Sequence, residues 1–133
     1  MEVDFAFLSD KADIVSGKLY VLGGAFDAIS ARQVPVRHQQ MTLALRFLLS
    51  PAELDREHKL EVVLIDSDGK KVISVPGQIM VKRPNEGSLG YRISFLTTLN
   101  FFNVQFEKFG DYSFEVLLNG TSAKSIPLKL VQK

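Results

Sequence analysis

Residues 18–29 read KLYVLGGAFDAI, an apolar run interrupted in its middle by Gly23 and Gly24. Leu19 and Val21 share one face of the first arm, and residues 25–29 form a second apolar arm beyond the glycines. Two adjacent glycines inside such a run bend the strand, bulge it or bare its backbone to a ligand. A phosphate-binding loop would need a following helix or a Lys-Ser/Thr pair, and Ala25-Phe26-Asp27 supplies neither. The pair therefore reads as a structural corner, where one strand bends or changes sheets.

Working outward, the rest of the chain is also strand-like. Val3, Phe5 and Phe7 alternate with Asp4, Ala6 and Leu8, predicting a first strand with one strongly apolar face. Residues 9–17, SDKADIVSG, break that pattern and read as a loop or brief helical turn. Pro35 confines residues 31–38 to a sheet edge or a crossing. From Met41, the set Met41, Leu43, Leu45, Phe47 and Leu49 occupies one parity and predicts a core strand. Ser50-Pro51-Ala52-Glu53 has the form of a capping box, with Ser at the N-cap, Pro at N1 and Glu at N3, and predicts a short helix over 51–56.

Two hairpins follow from parity. Asp68-Gly69 predicts a two-residue type I′ turn that sets Leu64 opposite Ile73 and Val62 opposite Val75. Pro76-Gly77 is expected to break the sheet, with a short strand over 78–82, and Arg83 to Gly90 to be the most mobile loop. Alternation resumes at Tyr91, Ile93 and Phe95. Among the phenylalanines crowded after Leu99, Phe102 and Phe109 are candidates for surface anchors. In the last hairpin, a two-residue loop at Asn119-Gly120 would place Phe114 opposite Ser125 and turn the return strand's apolar residues outward. A three-residue loop, Asn119 to Thr121, is therefore expected, with Phe114 opposite Ile126 and Tyr112 opposite Leu128.

These elements amount to an all-β chain, an antiparallel β-sandwich of about eight strands with one short helix, and 133 residues is the length of one domain. Gly110-Asp111-Tyr112-Ser113-Phe114 looks like the G-x-Y-x-C tyrosine corner of immunoglobulin-like sandwiches, with Phe114 where the disulfide cysteine would stand. MEVDFAFLSD at the start, GKLYVLGGAFD at 17–27, Pro35, HKLEVVLIDSDGK at 58–70 and GDYSFEVLLNG at 110–120 together resemble a family of small uncharacterised bacterial proteins, a domain of unknown function. That resemblance implies a stand-alone bacterial domain in the cytoplasm and brings no catalytic residues with it.

Composition narrows the function. Sixteen basic against fifteen acidic residues leave a formal charge of +1, with no basic stripe, which argues against nucleic acid. The absence of cysteine removes disulfides, thiolate nucleophiles and Cys-ligated metal. The acidic, alternating start is unlike a secretory signal, and no apolar run approaches the roughly 18 residues of a membrane span, so a cytoplasmic location is expected. Asp66-Ser67-Asp68-Gly69 fails as a calcium loop, because Lys70 and Gly77 stand at its fifth and twelfth positions. His38 and His58 have polar neighbours and read as surface residues, and no G-x-S-x-G elbow is present. No cofactor is implied. Leu48, Val63, Ile65, Leu117 and Val131 lie on the parity that faces outward if the other parity forms the core, which points to a non-enzymatic module that binds a protein partner or itself. The alternative is a small-ligand or calcium-dependent lipid binder using Asp10, Asp13, Asp66, Asp68 and Asp111.

Overall fold

The computed structural model describes residues 1–84 and 93–133. The renewed alternation expected from Tyr91, and most of the loop expected over Arg83 to Gly90, lie outside the described residues. Among the described residues nine strands occur in the order β1 (Glu2–Val15), β2 (Lys18–Gly24), β3 (Ala28–Ala31), β4 (Val36–Leu49), β5 (His58–Asp66), β6 (Lys71–Ile79), β7 (Ile93–Phe106), β8 (Gly110–Leu118) and β9 (Thr121–Gln132). They form a four-stranded sheet, β2-β1-β4-β7, and a five-stranded sheet, β3-β9-β8-β5-β6. The fold is a β-sandwich. It departs from the expected form in three ways: nine strands instead of about eight, one parallel pair, β3 with β9, and a 3₁₀ turn over Pro51–Glu53 in place of a helix over 51–56. Glu53 Oε1 does accept from Ser50 N at 2.9 Å, as a capping box requires, but the chain is already extended at Leu54, which caps the turn.

The core is the alternation made solid. Met41, Leu43, Leu45, Phe47 and Leu49 are all fully buried, facing Val62, Leu64, Phe114 and Val116 of the other sheet. Each such side chain contributes roughly 1.5–3 kcal/mol when removed from water. β4 pairs with β7 in one sheet while β5, β8 and β9 adjoin in the other. This is how immunoglobulin-like sandwiches arrange their B and E against their C, F and G strands. Tyr112 stands near the start of β8, and its hydroxyl donates to Lys108 O at 2.7 Å, closing the tyrosine corner. The ring meets Phe106 edge-on, 4.9 Å between centroids.

The glycine pair is a crossing between sheets. β2 ends at Gly24 in the first sheet and β3 begins at Ala28 in the second. Gly23 has φ +61, where a Cβ would strike the Asp10 carboxylate, and Ala25, at φ +63, donates to Leu8 O at 2.7 Å.

At the N-terminus two expectations are corrected. A bulge at Asp4 shifts the register, so Val3 pairs with Phe47 but Phe5 with Arg46, and Phe5 and Phe7 turn to the outer face. Residues 9–15 are strand, not loop: they pair with β2 from Ser9↔Gly24 to Val15↔Lys18, closed by Ser16-Gly17, both at positive φ.

Both later hairpins keep the expected registers by unexpected routes. Val62↔Val75 and Leu64↔Ile73 hold, but Asp66 Oδ1 accepts from Asp68 N and Lys70 N, which makes a three-residue turn with Gly69 at φ +80. A bulge at Val72 then restores the sum. Phe114↔Ile126 and Tyr112↔Leu128 also hold, yet the loop is two residues, Asn119-Gly120, both left-handed, with a compensating bulge at Ala123. Pro76-Gly77 does not break the sheet: Pro76 sits within β6, opposite Glu61, on an edge where no ladder donor is required.

Candidate interaction surface

The five outward-parity residues do not form one patch. Leu48 lies on the four-stranded sheet, opposite Ser94, while Val63, Ile65, Leu117 and Val131 lie on the five-stranded one. Val63 is buried at 3% exposure between Ser74 and Glu115, so it offers no docking area. Ile65 and Leu117 are half-buried. Leu117 lines a shallow depression of about 500 Å³ with Glu61, Pro76 and Gln78. Val131 stands apart, opposite Ser30 in β3.

Larger apolar exposure lies elsewhere, on the four-stranded sheet. β1 pairs with β4 only as far as Ser9, and beyond it the β1–β2 ribbon exposes Val15, Tyr20 and Leu22. On the outer face, Phe5 stacks on Phe7 with centroids 5.7 Å apart, and the Arg46 guanidinium lies 5.4 Å above the Phe5 ring while its Nε donates to Asp4 Oδ2 at 2.7 Å. Thr42 Oγ1 donates to Asn100 Oδ1 at 2.7 Å beside them. Phe102 is 61% exposed on β7, one of the two surface anchors proposed from sequence, whereas Phe109 packs against the core.

The sheet edges differ more sharply than the faces. β3 is four residues long, β2 carries Lys18 and ends in glycines, and β6 carries Lys71, Pro76 and a bulge. Each is a recognised way of blunting an edge against further pairing. β7 is a fourteen-residue edge strand, ISFLTTLNFFNVQF, with no charge, no proline and no glycine. Its core-side residues Ile93, Phe95, Thr97 and Leu99 are only half-buried, although their partners Leu49, Phe47, Leu45 and Leu43 on β4 are fully covered. Sequence reasoning missed this edge, because being an edge is a property of which strands pair. The lack of charge over fourteen residues was the available signal.

His58 is buried, not on the surface. One ring nitrogen lies 2.8 Å from Glu53 O and the other 3.3 Å from Asn119 Nδ2, and Asn119 is fixed in turn by accepting from Lys59 N at 2.9 Å. Neither partner of the ring is a nucleophile or a carboxylate. The aspartates are dispersed: Asp10 and Asp13 on β1, Asp66 and Asp68 at the β5–β6 turn, Asp111 on β8. Asp66 is held below the usual carboxylate range, first by the Lys70 amide and also by the Asp68 amide and the Lys108 ammonium. Lys108 Nζ lies 2.9 Å from Asp68 and 3.8 Å from Asp66, and the Asp68 carboxylate raises its pKa. Among the described residues no three His, Cys, Asp or Glu side chains converge as metal ligands would, and no helix is long and apolar enough to cross a membrane.

No curated protein matches the chain. Among the solved structures that do match is the Pseudomonas fluorescens alkylpurine DNA glycosylase AlkC bound to DNA containing an abasic site analog. It is 13% identical with a TM-score of 0.47, over 95% of this chain and 30% of that one. The chain thus spans under a third of that protein's length, and a likeness of this degree carries no functional inference. A family of unknown function, DUF6941, matches residues 4–131, and the chain belongs to it.

Proposed function

We propose that this protein is a non-enzymatic interaction module that receives an extended strand of a protein partner along the edge of β7 that no described strand covers. The observation that carries the reading is the contrast among the four sheet edges: three are short, charged, bulged or interrupted, and β7 is long and entirely uncharged. An added strand would satisfy the outward N–H and C=O groups of β7 and cover its half-buried core-side residues, the mode known as β-augmentation. The partners of His58, a backbone carbonyl and an asparagine, support a structural role for that side chain over a catalytic one. No comparable observation favours the calcium-dependent alternative, since Asp66 and Asp68 are already engaged by backbone amides and Lys108.

The test compares wild type with Leu96→Lys/Thr98→Lys, which puts two lysines on the outer side of the β7 edge, as baits in a native lysate. A species retained by the wild type, this chain included, and lost by the variant supports strand addition. Identical captures by the two baits overturn it.

A further inference from the structure

We infer that the strand received at β7 is β7 of a second copy of this chain, paired antiparallel about a two-fold axis at Thr97. This rests on the strand-addition reading above and names its occupant. An axis normal to the sheet keeps core sides together, so core-side residues of one copy must oppose core-side residues of the other. The core side of β7 reads Ile93, Phe95, Thr97, Leu99, Phe101 and the outer side Ser94, Leu96, Thr98, Asn100.

About Thr97 the core side of the strand is chemically palindromic. Ile93 meets Phe101 of the second copy, Phe95 meets Leu99, and Thr97 meets Thr97, each with its chemical like. On the outer side Ser94 meets Asn100 and Leu96 meets Thr98. Moving the axis one residue, to Thr98, keeps Phe95 against Phe101 but sets Thr97 against Leu99, Leu96 against Asn100, Ser94 against Phe102 and Ile93 against Asn103, so that most pairs mix polar with apolar, whereas about Thr97 Leu96 with Thr98 is the one mixed pair. The Thr97 axis also pairs the half-buried Phe95 with the half-buried Leu99, so each copy covers what the other leaves open. No charge lies anywhere along the ladder to oppose a like charge. Asn103, at φ +53, ends the regular stretch, after which Val104 and Phe106 turn into the core. Nine residues, 93–101, remain to pair and form about nine hydrogen bonds, comparable to the roughly ten of an ordinary protein interface.

Sedimentation equilibrium over a range of concentrations tests this with two double variants. Wild type is expected to dimerise. Leu96→Lys/Thr98→Lys places lysine opposite lysine twice and weakens the dimer by about tenfold or more. Leu96→Lys/Thr98→Glu places lysine opposite glutamate twice in this register alone, and dimerisation returns to near the wild-type level, which also shows that substitution at these positions leaves the fold intact. Because the chain has no cysteine, Thr97→Cys should cross-link rapidly to itself on mild oxidation while Phe102→Cys does not. A wild type that stays monomeric, a dimer indifferent to both double variants, or cross-linking at 102 but not at 97 would each overturn the assignment. A monomeric wild type that still captures another protein through β7 overturns the second copy and leaves strand addition standing. A dimer unaffected by either double variant, with equal lysate captures, overturns both.

Discussion

Tyr112→Phe removes one oxygen atom from the corner that joins the two sheets, and its consequence can be worked out from the surroundings. The hydroxyl donates to Lys108 O at 2.7 Å and lies 3.3 Å from Lys108 N, while the ring is 6% exposed and packed edge-on against Phe106. The substitution keeps the ring and its apolar contacts. What is lost is the hydrogen bond donated to Lys108 O, worth about 1 kcal/mol net, the longer one accepted from Lys108 N, and the cost of leaving a partly buried carbonyl without its donor. The sum is a destabilisation of about 1.5–2.5 kcal/mol. In urea, with a slope of about 1.5 kcal/mol/M, the midpoint should fall by about 1–1.7 M with the slope unchanged. Tyr20→Phe is the internal control: Tyr20 is exposed on the β1–β2 ribbon, and its loss of a hydroxyl should stay within about 0.5 kcal/mol. Equal midpoints for the two variants would show that the Tyr112 hydroxyl contributes nothing to holding the corner.

Other consequences are as direct. Gly23→Ala forces a side chain into φ +61 and Gly24→Ala drives a Cβ into Val21 Cγ1, so the pair together should cost about 2 kcal/mol, read by thermal or chemical unfolding; unchanged stability would mean the crossing does not need its glycines. Asp66, with its folded pKa depressed, contributes stability that is present above the ordinary carboxylate pKa and lost as pH falls through the lower folded value. The gap in stability between wild type and Asp66→Asn should therefore close below about pH 4, and a gap constant from neutral to acid pH would refute the ionic part of that role. Lys108, with its pKa raised, behaves in the opposite sense: the advantage of wild type over Lys108→Met should be full at neutral pH and shrink only as pH rises above the ordinary lysine value.

The two-residue period by itself determined the all-β layers and guided the registers of the two later hairpins. Apolar residues on one parity have to reach the core, so Val62↔Val75, set by the expected Asp68-Gly69 turn and passed by parity, and Phe114↔Ile126, chosen by parity over a shorter loop, were legible, and both hold. Turn lengths were not legible. A one-residue bulge changes the parity of the turn, so the expected registers are reached by a three-residue turn at Ser67–Gly69 where two residues were expected and by a two-residue turn at Asn119-Gly120 where three were. At Asp4 a bulge with nothing to compensate it reversed the faces, and Phe5 and Phe7, read as core, stand on the outside. The polar stretch 9–17 read as a loop or brief helical turn because nothing local shows that β2 returns to pair with residues 9–15. The candidate surface was the least legible of all. Facing outward is set by parity, but exposure depends on neighbouring strands: Val63 is covered at the centre of its sheet, while β7 is left open because β4 lies on one side of it and no described strand on the other. Local alternation determined which residues seek the interior, and only the pairing of strands distant in sequence decided where the sheet stops and a partner can begin.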